Sequence, residues 1–247
     1  MSFFELFLGA SLAFFATALG AALMLPIKDE RGKVFALLTA FSGGVMVFSA
    51  LEMLIQSHAI SGDMVAIAGL VLGLCAFYVL ERLLPHAHAF MKRAPMKQKK
   101  KKAALLAGTI TLHNIPEGFA IASAFAASPS LGWLVAGTIA IQDVPEGLIV
   151  SAPLAAYGMG QRRSFFWGAF SGFVEFAAAI VGFLFLATVA AATPFALAFS
   201  AGAMIFVTFA ELLPDSLCAC GKAKVAISFS VGVLLAFLLA AALAIPK

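Results

Sequence analysis

Eight runs of apolar residues, each long enough to cross a bilayer, constrain this chain more than any other feature. A helix needs roughly 20 residues to span a ~30 Å hydrocarbon core, and such runs fall at about 3–25, 34–56, 64–84, 104–127, 131–156, 164–191, 195–213 and 223–245. None alternates with the period of two that a lipid-facing barrel wall requires. With 63% hydrophobic and 11% charged residues the chain cannot be an ordinary soluble domain. The expected fold is all-α: a polytopic membrane protein of eight transmembrane helices, residues 1–247 forming a single transmembrane domain. The opening Met1-Ser2-Phe3-Phe4-Glu5 lacks a basic n-region, so the first run reads as a permanent span.

Orientation follows from the basic residues. Fifteen of the sixteen Lys and Arg fall in the first, third, fifth and seventh loops, and only Lys247 lies on the other side. By the positive-inside rule those loops are cytoplasmic and both termini extracytoplasmic. The net charge of +4 is thus a topology signal and gives no support to a nucleic-acid partner. The third loop, residues 85–103, is the one long polar segment. Its Lys97–Lys102 run suits solvent or anionic headgroups, and His86 and His88 either collect a cation there or sit on a plain surface loop. Cys75, Cys218 and Cys220 make no disulfide framework, and Cys218 and Cys220 read as solvent-exposed cytosolic thiols.

Two stretches stand out inside the apolar runs: His113-Asn114-Ile115-Pro116-Glu117-Gly118 in the fourth, and Gln142-Asp143-Val144-Pro145-Glu146-Gly147 in the fifth. Residues four apart share a helix face, so His113 projects with Glu117 and Gln142 with Glu146. Asn114 and Asp143 lie one step round. Pro116 and Pro145 free the carbonyls of Leu112 and Ile141, and a cavity or a cation must satisfy them in a membrane. Glu175 in the sixth run lies at the same depth. Four carboxylates left against lipid would cost roughly 2.5–3.5 kcal/mol each, so the bundle must turn them toward one another. No Lys or Arg occurs between residues 103 and 161, leaving protons, a metal cation or both to balance the charge.

Imidazole, carboxylate and amide oxygen together suit zinc as the transported ion, with cadmium, iron(II) and manganese(II) also accommodated; no organic cofactor is expected. Met46 in the second run is either a soft ligand, a gate or core packing. Glu52 and Glu211 flank the midplane on opposite sides as entry and exit stations. Ser42-Gly43-Gly44-Val45-Met46 and Ser200-Ala201-Gly202-Ala203-Met204 run in opposite directions and share Ser, Gly and Met at matching places. With the paired motifs on consecutive spans, this predicts an inverted repeat arranged 3+2+3.

These residues resemble the ZIP family of zinc/iron-regulated transporters, in particular its prokaryotic GufA-like branch. The two Pro-Glu-Gly motifs carry the resemblance, and the eight-span layout extends it over nearly the whole chain. It implies import of a divalent metal through a binuclear centre in a prokaryotic plasma membrane. The first site would comprise His113, Glu117, Gln142 and Glu146 with Met46 nearby; the second, Asn114, Glu117, Asp143, Glu146 and Glu175. It further implies an elevator-like motion of the central helices. The chain departs from many relatives at Gln142 and Asp143, where those carry histidine and asparagine. Expected partners are the metal ion and the bilayer, and a homodimer is compatible with the sequence. The competing class is an intramembrane metal-dependent hydrolase, since a metal beside a carboxylate can activate water. Against it stand the missing His-Glu-x-x-His motif and the lack of a clear nucleophile. Reversed transport, an exporter, is equally compatible with these residues.

Overall fold

The computed structural model describes residues 2–23, 32–83, 96–156 and 158–244. Its elements are α1 (Phe3–Leu23), α2 (Gly32–Ser61), α3 (Asp63–Leu83), α4 (Met96–Ala127), α5 (Pro129–Ala156), α6 (Gln161–Thr188), a short 3₁₀ turn (Ala190–Ala192), α7 (Thr193–Val207), a π-helical turn (Thr208–Leu212), α8 (Leu213–Ala219) and α9 (Lys222–Ala244). The described residues contain no strand, as the unbroken apolar runs predict.

Seven helical stretches are long and apolar enough to cross a membrane. The chain is a multi-pass integral membrane protein. At 32 residues α4 is longer than most of them, but its polar motif lowers its hydropathy. It begins at Met96, inside the stretch expected as the 85–103 loop, because Met, Lys and Gln after Pro95 all favour helix. Residues 84–95, with His86 and His88, lie outside the described residues. The last-but-one span also departs from expectation. Instead of stopping near 213 it continues to Ala219 as α7, the π turn and α8. Pro214 would drive its ring into the Ala210 carbonyl of a regular α-helix, and the widened turn just before it relieves that clash.

Turns are set by local chemistry. Gly62 has φ of 76° and its amide donates to the His58 carbonyl at 2.8 Å, ending α2 in the left-handed cap that favours glycine. Ser128 caps α5, its hydroxyl accepting from the Leu131 amide at 3.2 Å, with Pro129 at the first helical position.

Small apolar clusters identify one end of the bundle. Ala36 and Ala40 of α2 meet Cys220 and Val225; Ala107 and Ile110 of α4 meet Val150 and Leu154 of α5. Lys33, Arg162, Arg163, Lys222 and Lys224 all sit near this basic end. Cys220 is buried there, its thiol 3.5 Å from the Lys33 carbonyl, which corrects the expectation of solvent exposure; Cys218 is exposed. The helix-to-helix contact with α2 and α9 closes over Cys220 because α8 stops one residue before it. The opposite half holds the main core, where Leu6, Met53, Ile121, Ile139, Leu197 and Met204 are fully buried. In the bundle α1 packs chiefly on α5 and α6 packs on α4, while α3 lies against α7 and α9 against α2.

Candidate metal centre

The motif glycines bring the two central helices onto their flanking neighbours. A methyl group built on Gly147 would stand 2.0 Å from the Thr17 carbonyl oxygen of α1, and one on Gly118 would stand 2.1 Å from the Glu175 carbonyl of α6. Only a residue without a side chain lets backbones approach so closely. The contacts set α4 and α5 at the depth of Glu175, and the polar residues of both motifs then face inward.

The structure brings together six of the eight residues named from the sequence as its centre, His113, Glu117, Gln142, Asp143, Glu146 and Glu175; Met46 lines the same space, and Asn114 is buried next to His113 on α4. His113, Asn114, Glu117, Gln142, Asp143 and Glu175 are all buried, the last five at 1% exposure or less. Glu117, Asp143 and Glu146 each place one carboxylate oxygen within 4.8 Å of the other two. Gln142 donates from Nε2 to Glu117 Oε1 at 2.5 Å, tying α5 to α4. Glu175 of α6 comes near enough to Asp143 for the two carboxyl groups to influence each other electrostatically.

Seven oxygen atoms from five of these residues have no hydrogen-bond partner: Asn114 Oδ1, Glu117 Oε2, Gln142 Oε1, and both carboxylate oxygens of Asp143 and Glu175. A buried acceptor without a donor costs about 1–3 kcal/mol, and more when charged. So many converging acceptors without a cationic side chain suit a positive ion. The donor set of imidazole, amide and carboxylate fits a divalent transition metal.

A cavity of about 30 Å³ touches this group from the basic end. Thr39, Ser42 and Met46 of α2, Ile110, His113 and Glu117 of α4, and Glu146 and Ile149 of α5 line it with Val207 and Leu212. Ser42 donates to the Gln142 carbonyl at 3.3 Å. Toward the other end Ile121, Ile139, Leu197 and Met204 are fully buried.

Two features beside this cavity were not legible in the sequence. Glu211, expected as a separate station, is carried by the π turn to His113, its Oε1 lying 3.2 Å from His113 Nε2. π turns often mark functional sites because the extra residue redirects a side chain. Thr208, in the same turn, donates to the Met204 carbonyl at 2.9 Å and faces the Met46 sulfur at 3.8 Å, fixing where that sulfur points. The one sequence signal for either was Pro214, whose ring forbids a regular helix one turn earlier. Glu52 is half-buried on α2 and does not line the cavity.

If Glu211 only hands the ion on, Glu211→Ala should slow uptake several-fold while metal binding at the centre survives. Binding lost in parallel with flux would place Glu211 among the centre's own ligands.

A family profile described as ZIP Zinc transporter matches residues 92–244. Among curated proteins, the chain is 37% identical over 194 residues to the zinc transporter GufA of Myxococcus xanthus, covering 76% of this chain and 72% of that protein. It is 33% identical over 209 residues to the zinc transporter ZupT of Escherichia fergusonii and 32% identical over 210 residues to that of Salmonella arizonae, with 81% of each chain covered in both.

Proposed function

This chain belongs to the ZIP family, and from that premise we propose that it carries a divalent metal, zinc foremost, toward the cytosol through the centre between α4, α5 and α6. The relatives named above are zinc transporters, and the chain is a transporter and not an enzyme; the hydrolase reading is set aside. One observation carries the proposal for the site: buried, unpartnered carboxylate and amide oxygens converge beside a cavity on the basic end. His113, Asn114, Glu117, Gln142, Asp143, Glu146 and Glu175 are the proposed ligands, with Met46 at the cavity side. Cadmium, iron(II) and manganese(II) are alternative cargo on the same chemistry.

We assign α4 as the eighth span and both termini to the extracytoplasmic side of a bacterial plasma membrane, with the 85–103 segment cytoplasmic. The distribution of Lys and Arg supports this orientation. The packing supports the 3+2+3 inverted repeat. α1 meets α5 as α6 meets α4, and α3 meets α7 as α9 meets α2. Gly44 approaches the Phe229 carbonyl of α9 much as Gly202 approaches the Leu70 carbonyl of α3. On this assignment the cavity opens to the cytosol and the buried core closes the outer half.

The test is zinc and cadmium uptake into proteoliposomes holding the purified protein. Saturable entry is expected, and its absence under an imposed metal gradient would overturn the transport reading. Acidification should slow this entry. Protons and metal compete for the same carboxylates and for the His113 ring, so metal binding must release protons. Initial rates measured from mildly alkaline to mildly acidic conditions should fall steadily, and a flat profile would contradict a carboxylate-rich path.

A further inference from the structure

The cavity at the basic end is lined by helices that come in repeat-related pairs. Gly108-Thr109-Ile110 precedes the α4 motif at the distance at which Gly137-Thr138-Ile139 precedes the α5 motif, which pairs Ile110 with Ile139 and His113 with Gln142. Ser42, Gly44 and Met46 of α2 recur as Ser200, Gly202 and Met204 of α7. The pairing is structural too, since Gly44 and Gly202 approach the carbonyls of Phe229 and Leu70 alike. Carried through it, the cavity's Thr39, Met46, Ile110 and Val207 become Leu197, Met204, Ile139 and Ser49. The first four line the cavity. The second four are buried, and Leu197, Met204 and Ile139 belong to the main core.

The paired serines differ in the same sense. Ser42 donates across the α2–α5 interface to the Gln142 carbonyl at 3.3 Å. Ser200 is fully buried, and its hydroxyl has no hydrogen-bond partner among the described residues. The buried hydroxyls of Thr17, Thr111 and Ser151 each donate to the carbonyl one turn back, the usual refuge of a hydroxyl inside a helix. Ser200 does not, and a donor left unused in a dry interior is costly. Its helix lies against α4 as α2 lies against α5, so the helix that carries the equivalent acceptor is adjacent.

We propose that Ser42 and Ser200 are reciprocal latches: the Ser42 bond to the Gln142 carbonyl belongs to the state open at the basic end, and Ser200 makes the matching bond to the His113 carbonyl when the other end opens. This rests on reading the chain as an inverted-repeat transporter. Alternating access in such a bundle moves one set of helices against the other around a fixed site. By the symmetry, a contact that one copy makes in one state is made by the other copy in the alternate state. One bond breaks as the other forms, so the pair steadies each state without trapping either. The two serines together set the balance between the states.

The test uses the purified full-length protein carrying Cys75→Ala, Cys218→Ala and Cys220→Ala, with one reporter thiol at a time. Thr39→Cys reports opening at the basic end, and Ser49→Cys, the counterpart of Val207 in the cavity wall, reports opening at the other. Alkylation by a soluble maleimide is timed for each. Ser42→Ala should speed reaction of the Ser49→Cys reporter about fivefold and Ser200→Ala should slow it about fivefold, the shift in an equilibrium that one net hydrogen bond supplies. The Thr39→Cys reporter should not speed up with Ser42→Ala, which separates a change of state from a general loosening of the bundle. Ser42→Ala combined with Ser200→Ala should return the Ser49→Cys rate to about its starting value. Shifts in one direction for both substitutions, or none for either, would overturn the proposal. Zinc uptake by the wild-type chain in proteoliposomes is measured alongside. If uptake is present, failure of the serine series concerns the latches alone; if it is absent, the transport reading fails and the latches with it.

Discussion

Glu117→Ala is expected to abolish zinc uptake in proteoliposomes, with a fall of about two orders of magnitude or more, beyond what loss of a merely supporting group causes. Glu117 holds a central place. One carboxylate oxygen accepts from Gln142 and the other is unpartnered, and its side chain both lines the cavity and approaches Asp143 and Glu146. Removing it takes one negative charge from the centre and leaves the Gln142 amide without its acceptor. A buried polar group stranded in this way costs about 1–3 kcal/mol, so folding must be checked alongside flux. Glu117→Gln keeps the volume and one acceptor oxygen, and should fold normally while still losing most transport. Glu146→Ala should behave like Glu117→Ala, because Glu146 reaches the same oxygen cluster from the other helix. Asp63→Ala provides the control. Asp63 pairs with His58 at 3.0 Å on the exposed turn between α2 and α3 and touches no part of the centre. If all three alanine variants transport like wild type, the proposed site is wrong.

The second large effect concerns a residue with no side chain. Gly147→Ala should leave little folded protein in detergent, because the added methyl would lie 2.0 Å from the Thr17 carbonyl oxygen. That oxygen is backbone, held by the rest of α1, and cannot turn aside as a side chain would. Overpacking in a rigid core costs about 1–3 kcal/mol and occasionally more, and here α1 must separate from α5. Gly108→Ala is the matched control. It lies in α4, one face of which is equally crowded, but no atom lies within 4 Å of where its methyl would go. Removing a helical glycine there should be neutral or stabilise by up to ~1 kcal/mol. Thermal melting followed by size-exclusion chromatography distinguishes the two. Equal melting temperatures for both variants would mean that the α1–α5 contact is looser than the structure places it, and that the depth of Asp143 and Glu146 is set elsewhere.

Much of this site was legible before any coordinates. His113 and Glu117, like Gln142 and Glu146, lie four apart on one helix, so a shared face follows from helix geometry alone. Glu175 could be placed by counting residues inward from the basic end. Such inferences work because a bilayer fixes the length of a span and penalises polar groups facing lipid. The misjudged places are those where that reasoning has no purchase. Glu211 looks like a lone carboxylate near the end of a span, and nothing local to it says that Pro214 is relieved by a π turn that swings it onto His113. Cys220 reads as a loop thiol, but whether α2 and α9 close over it depends on their packing. Thr17 is one of several hydroxyl residues in apolar helices, and its close contacts with Gly147 and Gly172 involve residues far along the chain.

The sequence by itself determined the all-helical, membrane-spanning class, the basic end, and the residues proposed here as metal ligands, because hydropathy, helix periodicity and ligand chemistry are properties of the residues themselves. The tertiary structure decided which of those side chains meet and where a cavity reaches them. Those outcomes depend on how closely helix backbones approach, and that distance is set jointly by residues on different helices.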